Sequence, residues 1–179
     1  MKNFELATFG GGCFWCTETI FKQLKGVKSV VSGYSGGDSD NPSYWDIHKG
    51  KSTHAECIQI EFDPKEISYE QLLLVFFKTH DPTTLNRQGV DVGMEYRSVV
   101  FYHDEDQKKA VERVIKKIEQ EKIYSKPIVT EVVPYKKFFK AEKYHQDYYE
   151  RNKGNMYCTV MIDPKLEKLE KEFGEFVKK

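Results

Sequence analysis

Residues 4–16 read FELATFGGGCFWC, and this stretch predicts a short strand, a sharp glycine turn and the start of a helix. The three glycines allow the backbone to turn tightly and to approach a bound molecule closely. Thiol and apolar side chains then recur at helical spacing from Cys13, at Cys16, Ile20 and Leu24. We therefore expect a helix to about Lys25 that carries a thiol at its N-terminus.

The thiol of Cys13 is a candidate nucleophile because of this position. Unpaired N–H groups and the positive end of the helix dipole favour a thiolate, which is the reactive form of cysteine. The rings of Phe14 and Trp15 beside it are expected to form an apolar, partly dry pocket. This combination indicates sulfur chemistry on a small apolar group. The alternative is that Cys13 and Cys16 are simply buried cysteines in a glycine-rich turn.

Length and charge limit the class of protein. The 179 residues suit a single catalytic domain over residues 1–179, and we expect a monomer. Lys plus Arg and Asp plus Glu both number 28, so a balanced surface gives no reason to expect nucleic acid or a membrane as partner. The longest apolar run, residues 72–77, is far too short to span a bilayer. The first residues lack the pattern of a signal peptide, so we expect a cytoplasmic protein.

The four cysteines do not form the pattern of a disulfide framework or of a zinc site. They are few for a secreted chain of this length. One C-x-x-C pair and two isolated thiols also lack the second close pair that structural zinc sites show. These exclusions leave redox or nucleophilic use of at least one thiol, with no metal. The four positions are Cys13, Cys16, Cys57 and Cys158.

The remaining pattern predicts an α+β fold, with helices packed on one mixed sheet. Strands are expected at residues 27–34, 55–62, 96–102, 128–133 and 157–162. Helices are expected at residues 68–80, 104–122 and 141–152, and after Asp163-Pro164. Two long irregular stretches, residues 38–54 and 81–95, are candidates for functional loops.

Glu56 is a candidate general acid. In the strand at residues 55–62 it shares a face with Ile58, Ile60 and Phe62, which is the apolar face. A carboxyl directed at the core tends to stay protonated and can then donate a proton at neutral pH. The alternative is that Glu56 lies at the end of the strand, with its carboxyl in water.

Five short motifs give a resemblance to a known family. They are CFW at residues 13–15, NPSY at 41–44, HAE at 54–56, QGVD at 88–91 and YRS at 96–98. In this order, and over roughly residues 4–165, the chain resembles the peptide methionine-S-sulfoxide reductases of the A class. The resemblance implies a two-layer, ferredoxin-like α+β sandwich and reduction of the S epimer of methionine sulfoxide, free or in proteins. It also implies that the enzyme needs no metal or organic cofactor and that thioredoxin is the usual reductant.

The resemblance also implies roles for individual residues. Cys13 corresponds to the nucleophile, which becomes a sulfenic acid, and Glu56 to the acid. Tyr44 and Tyr96 would donate hydrogen bonds to the sulfoxide oxygen, and Asp91 would help to orient the pocket. The two side chains that would hold the substrate's methyl group are Phe14 and Trp15. A protonated acid and two phenols make chemical sense, because a sulfoxide oxygen leaves poorly until it is protonated.

Cys16 is a departure from the family motif, which usually carries glycine or another residue there. A sulfenic acid condenses with a nearby thiol, so Cys16, one helical turn from Cys13, is one candidate for the resolving cysteine. Cys158 resembles the family's C-terminal resolving cysteine, although the sequence after it predicts a strand and a helix rather than a mobile tail. We expect Cys158 to react first, with Cys16 as a relay or a direct rival. Cys57 faces away from Glu56 and is expected to be a packed structural thiol.

Two other functions fit parts of the pattern. A thiol–disulfide oxidoreductase could use Cys13 and Cys16 as its redox pair, but Glu56, Tyr44 and Tyr96 would then have no task. A non-enzymatic module could bind methionine-containing peptides through its aromatic rings, but a reactive thiolate would serve no purpose there.

Overall fold

The computed structural model describes residues 3–179, and a six-stranded mixed sheet lies at its centre. The strands of this part of the chain are β1 (Glu5–Gly10), β2 (Val27–Ser35), β3 (Ala55–Phe62), β4 (Arg87–Gln88), β5 (Asp91–Val92), β6 (Val99–Tyr102), β7 (Glu131–Pro134) and β8 (Phe138–Lys140). The order across the main sheet is β7-β6-β1-β3-β2-β8, while β4 and β5 pair only with each other.

The helices connect these strands in a ferredoxin-like pattern. They are α1 (Phe14–Lys22), α2 (Tyr44–His48), α3 (Tyr69–Thr79), α4 (Glu105–Gln120), α5 (Tyr148–Arg151) and α6 (Asp163–Phe173). The four central strands β6, β1, β3 and β2 are antiparallel neighbours, with α1 after β1 and α3 after β3, which is the β-α-β-β-α-β arrangement. β7 then pairs parallel to β6, so the sheet is mixed. The expected α+β sandwich is confirmed.

Aromatic side chains join the sheet to the helices that cover it. Phe9 of β1 stacks on Phe76 of α3 with ring centroids 4.9 Å apart, and lies 5.8 Å from Phe21 of α1. These three rings are almost completely buried. Each stabilises the folded state by about 2 kcal/mol, because apolar area is removed from water. The core therefore fixes the end of β1 against the last turn of α1 and against α3. Within residues 3–179, no helix has the length and apolar character needed to cross a bilayer.

The C-terminal third differs most from the sequence-based expectation. The strand predicted at residues 157–162 is wrong, because Cys158–Ile162 form a π-helical turn that continues into α6. Helical hydrogen bonding already reaches this turn, since the N–H of Thr159 donates to the carbonyl of Asn155. The pattern also missed β8, which pairs with β2 at one edge of the sheet. Residues 141–152 were predicted to be a helix and instead contain only a 3-10 turn and the short α5.

Two further differences concern the loops. The stretch at residues 38–54 contains α2, which a capping box starts: Ser43 and Asp46 each satisfy a backbone N–H of the other. Residues 81–95 hold the small β4–β5 pair and lead into a 3-10 turn, Met94–Tyr96. Both loops are thus folded locally, and each presents a tyrosine at a defined position.

Candidate active site

The glycine turn brings Cys13 to the start of α1. Gly12 has φ of +86°, a conformation that glycine adopts without strain. A Cβ atom on Gly10 would lie 2.9 Å from the carbonyl oxygen of Glu56, so the turn packs directly against β3. Cys13 follows as the residue that precedes the first turn of α1, and its side chain is only 9% exposed.

Glu56 meets the helix at this point. The backbone N–H of Phe14 donates to Glu56 Oε2 at 3.1 Å, and the carboxyl group is buried. Burial raises the pKa of Glu56 to about 8; the negative charges of Glu95 and Asp91 act in the same direction, and the N–H of Phe14 opposes them. Glu56 is therefore predominantly protonated at neutral pH. The alternative position, at the strand end with the carboxyl in water, is excluded.

These groups line a cavity of about 200 Å³. Its walls are formed by Cys13, Phe14, Trp15, Tyr44, Glu56, Asp91, Tyr96 and Tyr157. The nucleophile, acid, oxygen-binding and methyl-binding candidates named from the sequence all belong to this set. Residues separated by as many as 144 positions along the chain, from Cys13 to Tyr157, thus line one cavity.

Tyr44 and Tyr96 are two of the three tyrosines in this set, and their hydroxyl groups are available as hydrogen-bond donors. Tyr44 is the first residue of α2, and Tyr96 ends the 3-10 turn Met94–Tyr96. Burial raises the pKa of both hydroxyls, and the negative charge of Glu56, when ionised, adds to the effect. A neutral carboxyl and two neutral phenols therefore face the same space. Such a group of donors can stabilise an oxygen that gains negative charge.

The two thiols of the C-x-x-C motif differ in pKa. Burial raises the pKa of Cys13 well above its usual range, and the side-chain hydrogen bond with Cys16 adds to this effect. The same hydrogen bond lowers the pKa of Cys16 to about 7. The expectation that the helix start would make Cys13 the acidic thiol is wrong for this state. Burial of the Cys13 sulfur is the main reason, and the first N–H of α1 is in addition taken by Glu56.

The other two cysteines lie in different surroundings. All four thiols are free. Cys158 is buried in one apolar cluster with Cys13 and Cys16. Cys57 is buried in a separate cluster with Ala55, Val99 and Phe101. The geometry keeps Cys158 and Cys16 as resolving candidates and places Cys57 outside the group.

Sequence reasoning missed Tyr157 as a wall of the cavity. Its hydroxyl donates to Asp91 Oδ2 at 2.9 Å and lies 3.9 Å from Cys16 Sγ. Its ring also meets Trp15 edge-on at 5.6 Å. Its position directly before Cys158 was the available signal, but the predicted strand there concealed it. Tyr157 therefore connects the Asp91 loop with the segment that carries Cys158.

A larger cavity, of about 430 Å³, lies elsewhere and has different chemistry. Its lining includes His54, Arg97, Lys136 and Lys137, together with acidic and aromatic side chains. Charges of opposite sign pair within it: Lys137 Nζ lies 3.1 Å from an oxygen of Asp40. It contains none of the thiols and none of the phenols described above, so the smaller cavity is the candidate active site.

The fold and the smaller cavity define a thiol-dependent oxidoreductase that acts on sulfur. A family model described as peptide methionine sulfoxide reductase matches residues 5–176. The chain is 53% identical over 171 residues to the peptide methionine sulfoxide reductase MsrA of Sulfolobus acidocaldarius, which covers 96% of each chain. The chain belongs to the peptide methionine sulfoxide reductase family, in its A class.

Solved structures agree with this assignment. Mxr1 from Saccharomyces cerevisiae in its reduced form has a TM-score of 0.81 and 32% identity, over 87% of this chain and 89% of that one. The same yeast protein in complex with Trx2 has a TM-score of 0.58 and 26% identity, over 81% of this chain and 84% of that one. Among the three functions that the sequence left open, family membership selects sulfoxide reduction.

Proposed function

We propose that this protein reduces the S epimer of methionine sulfoxide, free or in proteins, with Cys13 as the nucleophile. One observation carries the proposal: Glu56, a buried carboxyl group whose burial raises its pKa to about 8, shares a small cavity with Cys13, Tyr44 and Tyr96. A sulfoxide combines a sulfur that a thiolate can attack with an oxygen that must be protonated before it leaves. The cavity supplies a group for each of these requirements.

The reaction is an oxygen transfer between two sulfur atoms. Cys13 first gives up its proton, and Cys16, with its pKa near 7, is the neighbouring group that can accept it. The Cys13 sulfur then attacks the substrate sulfur and forms an S–S bond, while protons from Glu56 and Cys16 convert the oxygen to water as the S–O bond breaks. Water then attacks the Cys13 sulfur, the S–S bond breaks, and the substrate sulfur leaves with the electron pair as a thioether. Cys13 is left as a sulfenic acid. Hydrogen bonds from Tyr44 and Tyr96 would support the oxygen as its charge changes.

The side walls fit the remaining parts of the substrate. Phe14 and Trp15 would hold the methyl group on one side of the sulfur, and Asp91 would orient the pocket from the other. The donors around the oxygen explain why an intact thioether would bind poorly, because buried polar groups would then lack a partner. Specificity for oxidised methionine follows from these unpaired donors.

Contacts among the thiols support a definite order of resolution. Cys16 lies one helical turn from Cys13, and its backbone N–H donates to the Cys13 carbonyl at 3.1 Å, so it is the first thiol that the sulfenic acid would meet. Condensation would give a Cys13–Cys16 disulfide and release water. Cys158 lies in the same cluster and could then exchange with this disulfide. This order reverses the preference for Cys158 that the sequence suggested.

Thioredoxin is the proposed reductant, and no organic cofactor or metal is invoked. The complex of the yeast relative Mxr1 with Trx2 supports such a partner. A dithiol is also the chemical class that returns a disulfide to two thiols without any other reagent. Dithiothreitol should therefore replace the protein partner in a simple assay.

The decisive experiment offers the separate S and R epimers of a methionine sulfoxide derivative, with dithiothreitol. We expect turnover of the S epimer alone and none in Cys13→Ser. Turnover of both epimers, or activity in Cys13→Ser, would contradict the proposal.

Mass mapping after one turnover without reductant tests the order of resolution: a Cys13–Cys16 bridge should dominate in the wild type. In Cys16→Ser, a Cys13–Cys158 bridge that forms as fast as the first disulfide of the wild type would contradict this order and make Cys158 the first resolving cysteine.

A further inference from the structure

His145 lies behind the cavity, although neither the sequence motifs nor the cavity lining includes it. It ends the 3-10 turn Lys143–His145 and is 2% exposed. The indole N–H of Trp15 donates to His145 Nδ1 at 3.1 Å. A hydrogen bond thus connects a buried imidazole to a wall of the active site across 130 positions of the chain.

The same imidazole contacts two other walls of the cavity. Its ring centroid lies 5.0 Å from that of Phe14 and 4.8 Å from that of Tyr44. Trp15 is held on its flat face as well, because it stacks on Tyr148 at 3.6 Å with the rings nearly parallel. Tyr148 therefore fixes the plane of the indole, and His145 fixes its rotation within that plane.

We propose that His145 is a positioning and specificity-determining residue, which holds the Trp15 indole and thereby sets the size of the space for the substrate's methyl group. The inference depends on the proposed role of Phe14 and Trp15 as the walls of that space. His145 itself does not touch the substrate. It acts through the indole.

The hydrogen bond requires a neutral imidazole. Nδ1 accepts a hydrogen bond from the indole N–H of Trp15, so the proton of the neutral ring is on Nε2, which finds no hydrogen-bond partner among residues 3–179. A second proton would turn Nδ1 into a donor that faces the indole N–H, and the bond would be lost.

The surroundings of His145 keep this second proton away. Burial lowers the pKa of His145, and the charge of Glu142 on its own segment partly opposes this effect. Tyr144 on that segment and Tyr44 on α2 also face the ring, at 4.2 and 4.8 Å between centroids. Burial also raises the pKa of both hydroxyls, so they stay neutral near pH 7. A low pH should therefore break the hydrogen bond between Trp15 and His145 and leave the indole less firmly held.

The test compares kcat/KM for the S-sulfoxides of N-acetylmethionine and of its ethyl homologue, N-acetylethionine. One extra methylene in a fitted apolar pocket changes the ratio by roughly 10- to 200-fold. His145→Leu keeps much of the volume but removes the acceptor, and we expect the preference for the methyl substrate to fall about tenfold. His145→Asn places an amide oxygen near the former Nδ1, and the preference should stay within about twofold of the wild type. Equal ratios in all three proteins would overturn the inference, as would equal losses in the Leu and Asn variants.

A Trp15→Phe variant separates this inference from the proposed methyl pocket. If Trp15→Phe leaves the ratio unchanged, the methyl pocket itself is wrongly placed. If Trp15→Phe changes the ratio and His145→Leu does not, only the role of His145 is refuted. If both are right, the double variant should lose little more than Trp15→Phe alone, because the two residues act through one hydrogen bond.

Fluorescence gives a readout that a purely structural role would not move. The chain has two tryptophans, so Trp45→Phe leaves Trp15 as the single emitter. Its emission should change as acid protonates His145, and this step should be absent when His145→Asn is added. A thermal melt of each variant checks that the protein is folded at the pH of the assay. An identical acid step in both proteins would contradict the proposed contact.

Discussion

Glu56 and Cys57 are neighbours on β3 and face opposite sides of the sheet, and the comparison separates burial from reactivity. Both side chains are almost completely buried. Burial raises the pKa of both, to about 8 for Glu56 and well above its usual range for Cys57. Glu56 faces a cavity with a thiol and three phenols, whereas Cys57 packs among apolar side chains. Burial alone favours the neutral form of a group. Only a neutral group that also lines the cavity can act on a bound substrate.

The first prediction compares the thiols of the two regions. Cys13→Ser should lower turnover by at least about 10⁴-fold, because an alcohol does not replace the thiolate as the nucleophile. Cys57→Ala should keep kcat/KM within about threefold of the wild type. It should lower the free energy of unfolding by roughly 1 kcal/mol, because packing around the thiol is lost. Steady-state kinetics and thermal melts measure the two effects. Loss of activity in a folded Cys57→Ala protein would remove the distinction between the two sides of β3.

The second prediction concerns the proton of Glu56. Its protonated fraction falls as the pH rises through about 8, so kcat/KM should decline on the alkaline side of that value. Glu56→Gln keeps a neutral hydrogen-bond donor but cannot release a proton. It should lower kcat/KM by roughly 10²- to 10³-fold and abolish the alkaline decline.

A matched control for Glu56 exists on the same strand. Glu61 is half-buried and pairs with Lys28 at 3.2 Å, away from the cavity. Glu61→Gln should retain both the rate and the pH profile of the wild type. If Glu61→Gln and Glu56→Gln lose the alkaline limb alike, the decline reports a general property of the fold and not the acid.

The third prediction concerns the phenols that share the cavity with Glu56. Tyr44→Phe and Tyr96→Phe should each lower kcat by roughly 10- to 100-fold, since each removes one donor to the oxygen. Binding of the product methionine, which lacks the oxygen, should change little. Tyr135→Phe, on the Cys57 side of the sheet, is the control and should leave kcat unchanged. Normal kcat in both cavity variants would show that the phenols do not support the oxygen.

Sequence reasoning found the residues whose role is indicated by their neighbours in the chain. It missed those whose role depends on contacts with distant parts of the chain. Glu56 was recognised from the alternation of one strand, and Phe14 and Trp15 from their position next to Cys13, because these patterns depend on neighbours in the chain. Tyr44, Asp91 and Tyr96 came only from the family resemblance. They lie on or beside loops without periodicity, so nothing local predicts that they meet Cys13.

The missed residues belong to the C-terminal segment. The β-rich residues CTVMI at 158–162 predicted a strand, but the hydrogen bonds of a helical turn overrode that propensity. Tyr157 could not be assigned without this correction, and His145 lies in residues 141–152, where a 3-10 turn and the short α5 replace the predicted helix. The expectation of a low pKa for Cys13 failed for a related reason: a local argument about the helix start does not include the burial of the sulfur by the rest of the fold. It also ignored the carboxyl group of Glu56, 43 residues further along the chain, which takes the first N–H of α1.

The last prediction has the smallest effect on the chemical step and concerns Cys16. In the wild type the thiol pair should release a proton as the pH rises through about 7, seen as thiolate absorbance near 240 nm. In Cys16→Ser this step should move to higher pH, because burial still raises the pKa of Cys13. Single-turnover release of methionine at pH 7 should fall roughly tenfold, because Cys13 loses the neighbouring group that accepts its proton, and turnover with thioredoxin should fall at least as much. An unchanged titration in Cys16→Ser would assign the acidic thiol to Cys13 and restore the argument from the helix start.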